Sequence, residues 1–242
     1  MADDVIPRRK FLLGAGVAAA ATGLNPPSPV PAQVPAPTDA PPAIAVRRAE
    51  PEAPPLTLNP TEAAFMTAAV DTLIPADNLT PSGSACGVAA FIDRQLAGAY
   101  GGGARLYRDG PFLKGKPEHG YQLALTPREY FRAGIAATND WTRKIYGKDF
   151  DRLSEAERET AMKALEQGKA EFPGFSSKDF FEALLALTME GFFADPIYGG
   201  NREMAAWKMV GYPGLPATYH DDIKAYFNKK YDRPPQSIAD FT

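Results

Sequence analysis

Thr126-Pro127-Arg128-Glu129-Tyr130-Phe131-Arg132-Ala133-Gly134-Ile135-Ala136-Ala137 decides how this chain folds. Thr126 stands where an N-cap hydroxyl is needed, Pro127 suits the first helical position, and Glu129 completes a capping box. Tyr130, Gly134, Ala137, Trp141 and Ile145 then recur at helical spacing and mark one apolar face. The same grammar repeats on both sides. Asn59-Pro60-Thr61-Glu62 opens a helix with Phe65, Ala69, Val70 and Leu73 on one face, and Pro75 stops it. Val88, Phe91, Ile92 and Leu96 form a second stripe. Ser154-Glu155-Ala156-Glu157 is another box, whose helix stops at Gly168.

The next helix spans 177–193, with Phe181, Leu184, Leu185, Thr188 and Phe192 as its stripe and with Phe180 and Phe193 widening it. Two shorter helices follow, near 202–210 and 220–230. No stretch alternates with the period of two that a half-buried strand requires. The expectation is an all-α, irregular multi-helix domain over 59–242, with long Gly/Pro-rich loops, notably 98–120. At about 184 residues it can bury a core without metals or disulfides.

The two ends of the chain are built differently. Arg8-Arg9-Lys10 precedes Phe11-Leu12-Leu13 and a weakly apolar run from Gly14 to Leu24. A basic region, an Arg pair, Phe-Leu and a short apolar run, in that order at the N-terminus, read as a twin-arginine export signal. The plainer alternative is a frayed basic terminus with a chance Arg pair. The run is too short for a helix that spans the roughly 20-residue apolar core of a bilayer. Val30-Pro31-Ala32 offers small residues for a signal peptidase, which sets the leader at 1–32. Twelve of the 24 prolines fall between residues 25 and 60. A stretch this poor in large apolar side chains does not offset its ordering entropy, so 33–58 reads as a disordered Pro-rich linker.

A formal charge of -3, with the cations dispersed after the leader, excludes nucleic acid as a partner. The single cysteine, Cys86, cannot close a disulfide within the chain. It reads either as a buried inert thiol or as a bridge to a partner subunit; neither histidine is near enough in sequence to make it a catalytic thiol. No Cys-x-x-Cys-His attaches a haem, and no Gly-x-Gly-x-x-Gly follows a strand to hold a dinucleotide. His119 and His220 lack neighbouring ligands at metal spacing. Asp221 and Asp222 suit a helix start, and Asp77 suits a turn. No catalytic, cofactor-binding or metal residue is therefore assigned. Six phenylalanines occur within 172–193; they serve either a two-sided core or a partner surface.

One passage is more specific than composition. Glu190-Gly191-Phe192-Phe193-Ala194-Asp195-Pro196-Ile197-Tyr198-Gly199-Gly200-Asn201 reads as a helix exit, a Gly-permitted turn and a new N-cap at Asn201. Taken with Leu73-Ile74-Pro75-Ala76-Asp77, Gly87-Val88, Phe91-Ile92-Asp93-Arg94-Gln95-Leu96-Ala97-Gly98, Gly110-Pro111-Phe112, Gly120-Tyr121-Gln122, Leu125-Thr126-Pro127 and Trp207-Lys208-Met209-Val210-Gly211-Tyr212-Pro213-Gly214, it resembles the gluconate 2-dehydrogenase subunit 3 family. The likeness runs from Asn59 nearly to the C-terminus.

That resemblance implies a non-catalytic small subunit of a membrane-associated dehydrogenase acting on sugars, sugar acids or polyols. In such complexes a large subunit carries FAD, and a multihaem c-type cytochrome, where present, passes electrons to quinone. The small subunit serves maturation and export of the large one through the twin-arginine translocase, to the periplasmic side of the membrane. An export signal for folded cargo on a chain without cofactor motifs agrees with that role. Arg8, Arg9, Phe11 and Leu12 are then the export signal, and Cys86, Phe192, Phe193, Tyr198 and Asn201 the candidate partner interface. Two rivals stand beside it: an enzyme whose site assembles from Asp77, Asp195 and His220, and a tethered binding or structural module with no flavoprotein partner.

Overall fold

The structure, a computed structural model, describes residues 54–113, 115–116, 119–215 and 219–241. The expected leader 1–32, with Arg8, Arg9, Phe11 and Leu12, lies outside the described residues, as does the linker up to residue 53. Among the described residues there are seven α-helices and no strand: α1 (Pro60–Leu73), α2 (Val88–Ala97), α3 (Pro127–Tyr146), α4 (Glu155–Glu166), α5 (Ser177–Phe193), α6 (Ala205–Val210) and α7 (His220–Ala225). None of the described helices is long and apolar enough to cross a membrane.

Three of the helix starts are reciprocal capping boxes. Asn59, Thr126 and Ser154 accept the backbone N–H groups of Glu62, Glu129 and Glu157, whose carboxylates accept the caps' own N–H groups in return. An uncapped start costs about 1 kcal/mol, so these residues fix where α1, α3 and α4 begin. Glu129 and Glu157 stay below the usual carboxylate range because the Thr126 and Ser154 backbones, then their hydroxyls, bond the ionised form.

The core is aromatic. α5 packs on α1, α2, α3 and α4, and its Phe180 is fully buried. Phe65 of α1 lies 5.0 Å from Phe150 and 6.4 Å from Phe180, centroid to centroid, while Phe131 meets Phe180 edge-on at 5.8 Å. This contact depends on Gly134: a Cβ there would sit 2.2 Å from the Phe180 ring. Phe180, which the sequence placed at the margin of its stripe, is thus a central core residue. Ile145 departs the other way and is exposed. Fifteen residues beyond Tyr130 it has rotated about 60° off the buried face, while its neighbour Tyr146 still packs against the core.

Order begins before Asn59. The backbone N–H groups of Leu56, Thr57 and Leu58 converge on the buried carboxylate of Asp93 at 2.5–3.0 Å, and Arg132 donates to the Thr57 carbonyl. The last residues of the expected linker 33–58 are therefore fastened to α2 by charge-assisted hydrogen bonds. The seventh helix is shorter than its sequence pattern and ends at Ala225. Tyr231 and Arg233 turn back to bond the buried Asp222 carboxylate at 2.7 and 2.8 Å. These bonds, the Tyr231 hydroxyl first, hold Asp222 below the ordinary carboxylate range. Asp222 thus ties down the C-terminal segment, beyond the helix-dipole role that its position implies.

Candidate functional site

The segment between α5 and α6 holds three of the four described non-glycine residues at positive φ. Ala194 ends α5 in an extended conformation. Asp195 then caps a 3-10 turn, Pro196–Tyr198, by accepting the Ile197 N–H at 3.0 Å, and its second oxygen accepts the N–H of Ile238 from the C-terminal segment at 2.9 Å. Gly199 closes the turn at φ 97°. Gly200 lies against α5, where a Cβ would be 2.1 Å from the Gly191 carbonyl oxygen. Three non-glycine residues follow at positive φ: Asn201 at 44°, Glu203 at 56° and Met204 at 56°. Left-handed backbone costs a residue other than Gly, Asn or Asp about 1 kcal/mol or more, so surrounding contacts have to hold Glu203 and Met204 in place.

Asn201 is the centre of that support. It is fully buried, its Nδ2 donates to the Ala194 carbonyl and its Oδ1 accepts the Ala206 N–H, both at 2.9 Å. Its side chain bridges the end of α5 to the start of α6 without capping a helix in the usual way. Asn201 does stand at the N-cap position of the 3-10 turn Arg202–Met204, as expected, but its left-handed backbone leaves the side chain without a cap hydrogen bond there, since a capping residue is extended. Next to it, the Arg202 N–H donates to the Cys86 carbonyl at 2.9 Å, and the Trp207 indole N–H donates to the Phe193 carbonyl at 2.9 Å. The segment is stapled to α5, to α6, to the approach to α2 and to the C-terminal segment.

With its polar groups engaged inward, the segment presents apolar side chains outward. Phe193, Ile197 and Tyr198 are exposed, Tyr198 at 53%. Phe192 and Phe193 share an edge-on contact at 5.0 Å but divide, Phe192 inward and Phe193 outward. Of the five residues that the sequence proposed for an interface, Phe193 and Tyr198 lie at the surface; Cys86, Phe192 and Asn201 are buried and support them from behind. Ile197 was missed, although it lies inside the quoted passage. Only its place in a turn with the polar atoms facing in marks it.

Cys86 is 1% exposed, and burial pushes its thiol up to about 11, more than the neighbouring Arg202 charge pulls it down. At pH 8 this alone lowers the thiolate fraction roughly a hundred-fold relative to a free cysteine. A thiol reagent is expected to leave the folded chain unmodified at pH 8 and to label it promptly in denaturant. Equal labelling rates in the two states would show that Cys86 is presented to partners after all.

The residues of the rival enzyme each have a local task. Asp77 accepts the N–H groups of Leu79 and Thr80 in its turn, Asp195 holds two backbone segments, and the exposed His220 faces Asp221. Among the described residues no group of three His, Cys, Asp or Glu side chains is arranged to hold a metal ion. The 193–201 segment thus combines constrained backbone, exposed Phe193, Ile197 and Tyr198, and hydrogen-bonded Asp195 and Asn201.

A family model described as gluconate 2-dehydrogenase subunit 3 matches residues 60–214. The match begins at the first residue of α1 and ends at Gly214, and it includes all of the 193–201 segment. No curated protein and no solved structure matches significantly.

Proposed function

The chain belongs to the gluconate 2-dehydrogenase subunit 3 family, and on that premise we propose that it is the non-catalytic small subunit that matures and exports a FAD-dependent dehydrogenase of sugars, sugar acids or polyols. The family places it in a dehydrogenase complex as an accessory subunit. The carrying observation is the segment from Phe193 to Asn201, in which buried Asn201 and strained backbone hold Phe193, Ile197 and Tyr198 at the surface. Aromatic side chains on rigid backbone lose little entropy on docking and anchor stable interfaces.

In this reading the flavoprotein binds the small subunit in the cytoplasm after taking up FAD. The contact stabilises its folded form by mass action. Arg8 and Arg9 then present the pair to the twin-arginine translocase, and the complex works at the periplasmic face of the membrane. A multihaem cytochrome c is the natural third member, because it would move electrons from the flavin to quinone.

The test is to isolate a tagged copy from the native periplasmic and membrane fractions. The expected product is a complex with a larger chain, a flavin absorption spectrum, and oxidation of a sugar or polyol in the presence of an electron acceptor. Replacing Phe193 and Tyr198 together by Ser is expected to lose the flavin band from the tagged fraction. A colourless, solitary chain would overturn the assignment in favour of a tethered binding module.

A further inference from the structure

The connection between α2 and α3 sets exposed large apolar side chains beside cations. Its ends are fixed. Arg128 donates to the Leu96 and Ala97 carbonyls at 2.7 and 3.0 Å, and its backbone N–H bonds the Gly101 carbonyl at 3.1 Å. On the returning side Tyr121 stacks on buried Tyr130, with ring centroids 3.9 Å apart. Between these anchors Leu106, Tyr107, Phe112 and Leu113 are all exposed, Tyr107 at 77% and Leu113 at 73%. The Phe112 ring folds over a turn at Gly110, whose φ is 58°, and Tyr107 and Leu113 are the most exposed of the four.

The charge is equally particular. Residues 105–118 contain four cations, Arg105, Arg108, Lys114 and Lys116, against two acids, Asp109 and Glu118, in a chain whose net charge is -3, and Glu129 at the base of the loop feels the Arg108 charge. The cations are thus less evenly dispersed than the composition implied. Protein interfaces deplete Lys at their apolar centres. An anionic bilayer favours the mixture found here: protruding Tyr and Leu side chains reach the headgroup boundary while Arg and Lys stay among the phosphates.

We propose that the 105–116 loop inserts Tyr107 and Leu113 into the headgroup region of an anionic phospholipid surface, with Arg105, Arg108 and Lys116 on the lipid phosphates. This contact belongs to the small subunit itself and does not depend on a dehydrogenase partner. It lies on a different connection from the 193–201 segment, which leaves that surface available for a protein.

A fluorophore sensitive to polarity, attached to the full chain as Tyr107→Cys, reads the insertion locally, whatever the N-terminus does. Phosphatidylcholine vesicles containing phosphatidylglycerol are expected to shift its emission to the blue. Pure phosphatidylcholine and high salt should largely abolish the shift. Arg105→Gln with Arg108→Gln should weaken partitioning about ten-fold or more. The same fluorophore at Ile145→Cys, on exposed α3, should stay in water. The proposal is overturned by an unshifted probe at 107 with anionic vesicles, by equal shifts at 107 and 145, or by a shift that ignores the two Arg substitutions. A shift produced only by a co-purifying dehydrogenase subunit would also overturn it and make the loop a protein contact. The subunit assignment fails on a different result, the absence of any flavoprotein in the purified fraction.

Discussion

Asn201→Ala is expected to remove about 4 kcal/mol of stability, a large part of what a domain of this size possesses. The substitution leaves the Ala194 carbonyl and the Ala206 N–H without the partner that now satisfies both. An unsatisfied buried polar group costs about 1–3 kcal/mol. It also puts a β-carbon residue with no side-chain hydrogen bond at φ 44°, where L-residues other than Asn, Asp and Gly lose roughly 1–2 kcal/mol. Asn201→Gly separates the two contributions, because glycine keeps the backbone and loses the hydrogen bonds. Urea unfolding should rank wild type above Asn201→Gly and Asn201→Gly above Asn201→Ala. If the alanine variant unfolds within about 1 kcal/mol of wild type, Asn201 does not hold the segment together, and the strained backbone needs another explanation.

The same residue shows where the sequence stops being legible. Asn is favoured both at an N-cap, where the backbone is extended, and in the left-handed region. Letters alone do not separate the two. Thr126 and Ser154 were unambiguous because a Glu three residues later completes a reciprocal motif within a single turn. Local hydrogen bonding of that kind is written locally. Phe180 and Ile145 erred in opposite directions for a tertiary reason. Periodicity gives the angle of a side chain about its own helix, whereas burial depends on what stands opposite. Gly134 opposite Phe180 turns a marginal position into the core, whereas Ile145 in the last turn of α3 stays more than half exposed.

The docking surface proposed for a partner was legible in position but not in orientation. The passage from Glu190 to Asn201 is one of those that carry the family resemblance, it lies within the matched residues, and the surface residues lie inside it. Which of them face outward follows from long-range bonds, Asp195 to Ile238 and Trp207 to the Phe193 carbonyl. Adjacent phenylalanines 192 and 193 face opposite ways, one into the core and one to solvent. The lipid-facing loop was visible only as a long Gly/Pro-rich connection, since exposure of Tyr107 and Leu113 is a property of the folded chain. Its excess of cations is in the letters and emerges when charge is counted by segment and not by chain.

Replacing Arg8 and Arg9 together by Lys should strand the dehydrogenase in the cytoplasm, the largest functional effect expected of any substitution in the chain. The change keeps both positive charges, so a general attraction to anionic lipid survives it. What it removes is the planar guanidinium with its fixed fork of donors, which an ammonium does not reproduce. Periplasmic sugar- or polyol-oxidising activity should fall about ten-fold or more, while an active, flavin-loaded large subunit accumulates in the cytoplasm together with the uncleaved small one. Stability of the helical domain, measured by urea unfolding of the purified variant, should be unchanged, because the substitutions lie more than forty residues before α1. Normal periplasmic activity in the variant would defeat the export role, even with the complex intact. Loss of activity in both compartments would place the substitution's effect on maturation of the flavoprotein and not on its passage through the membrane.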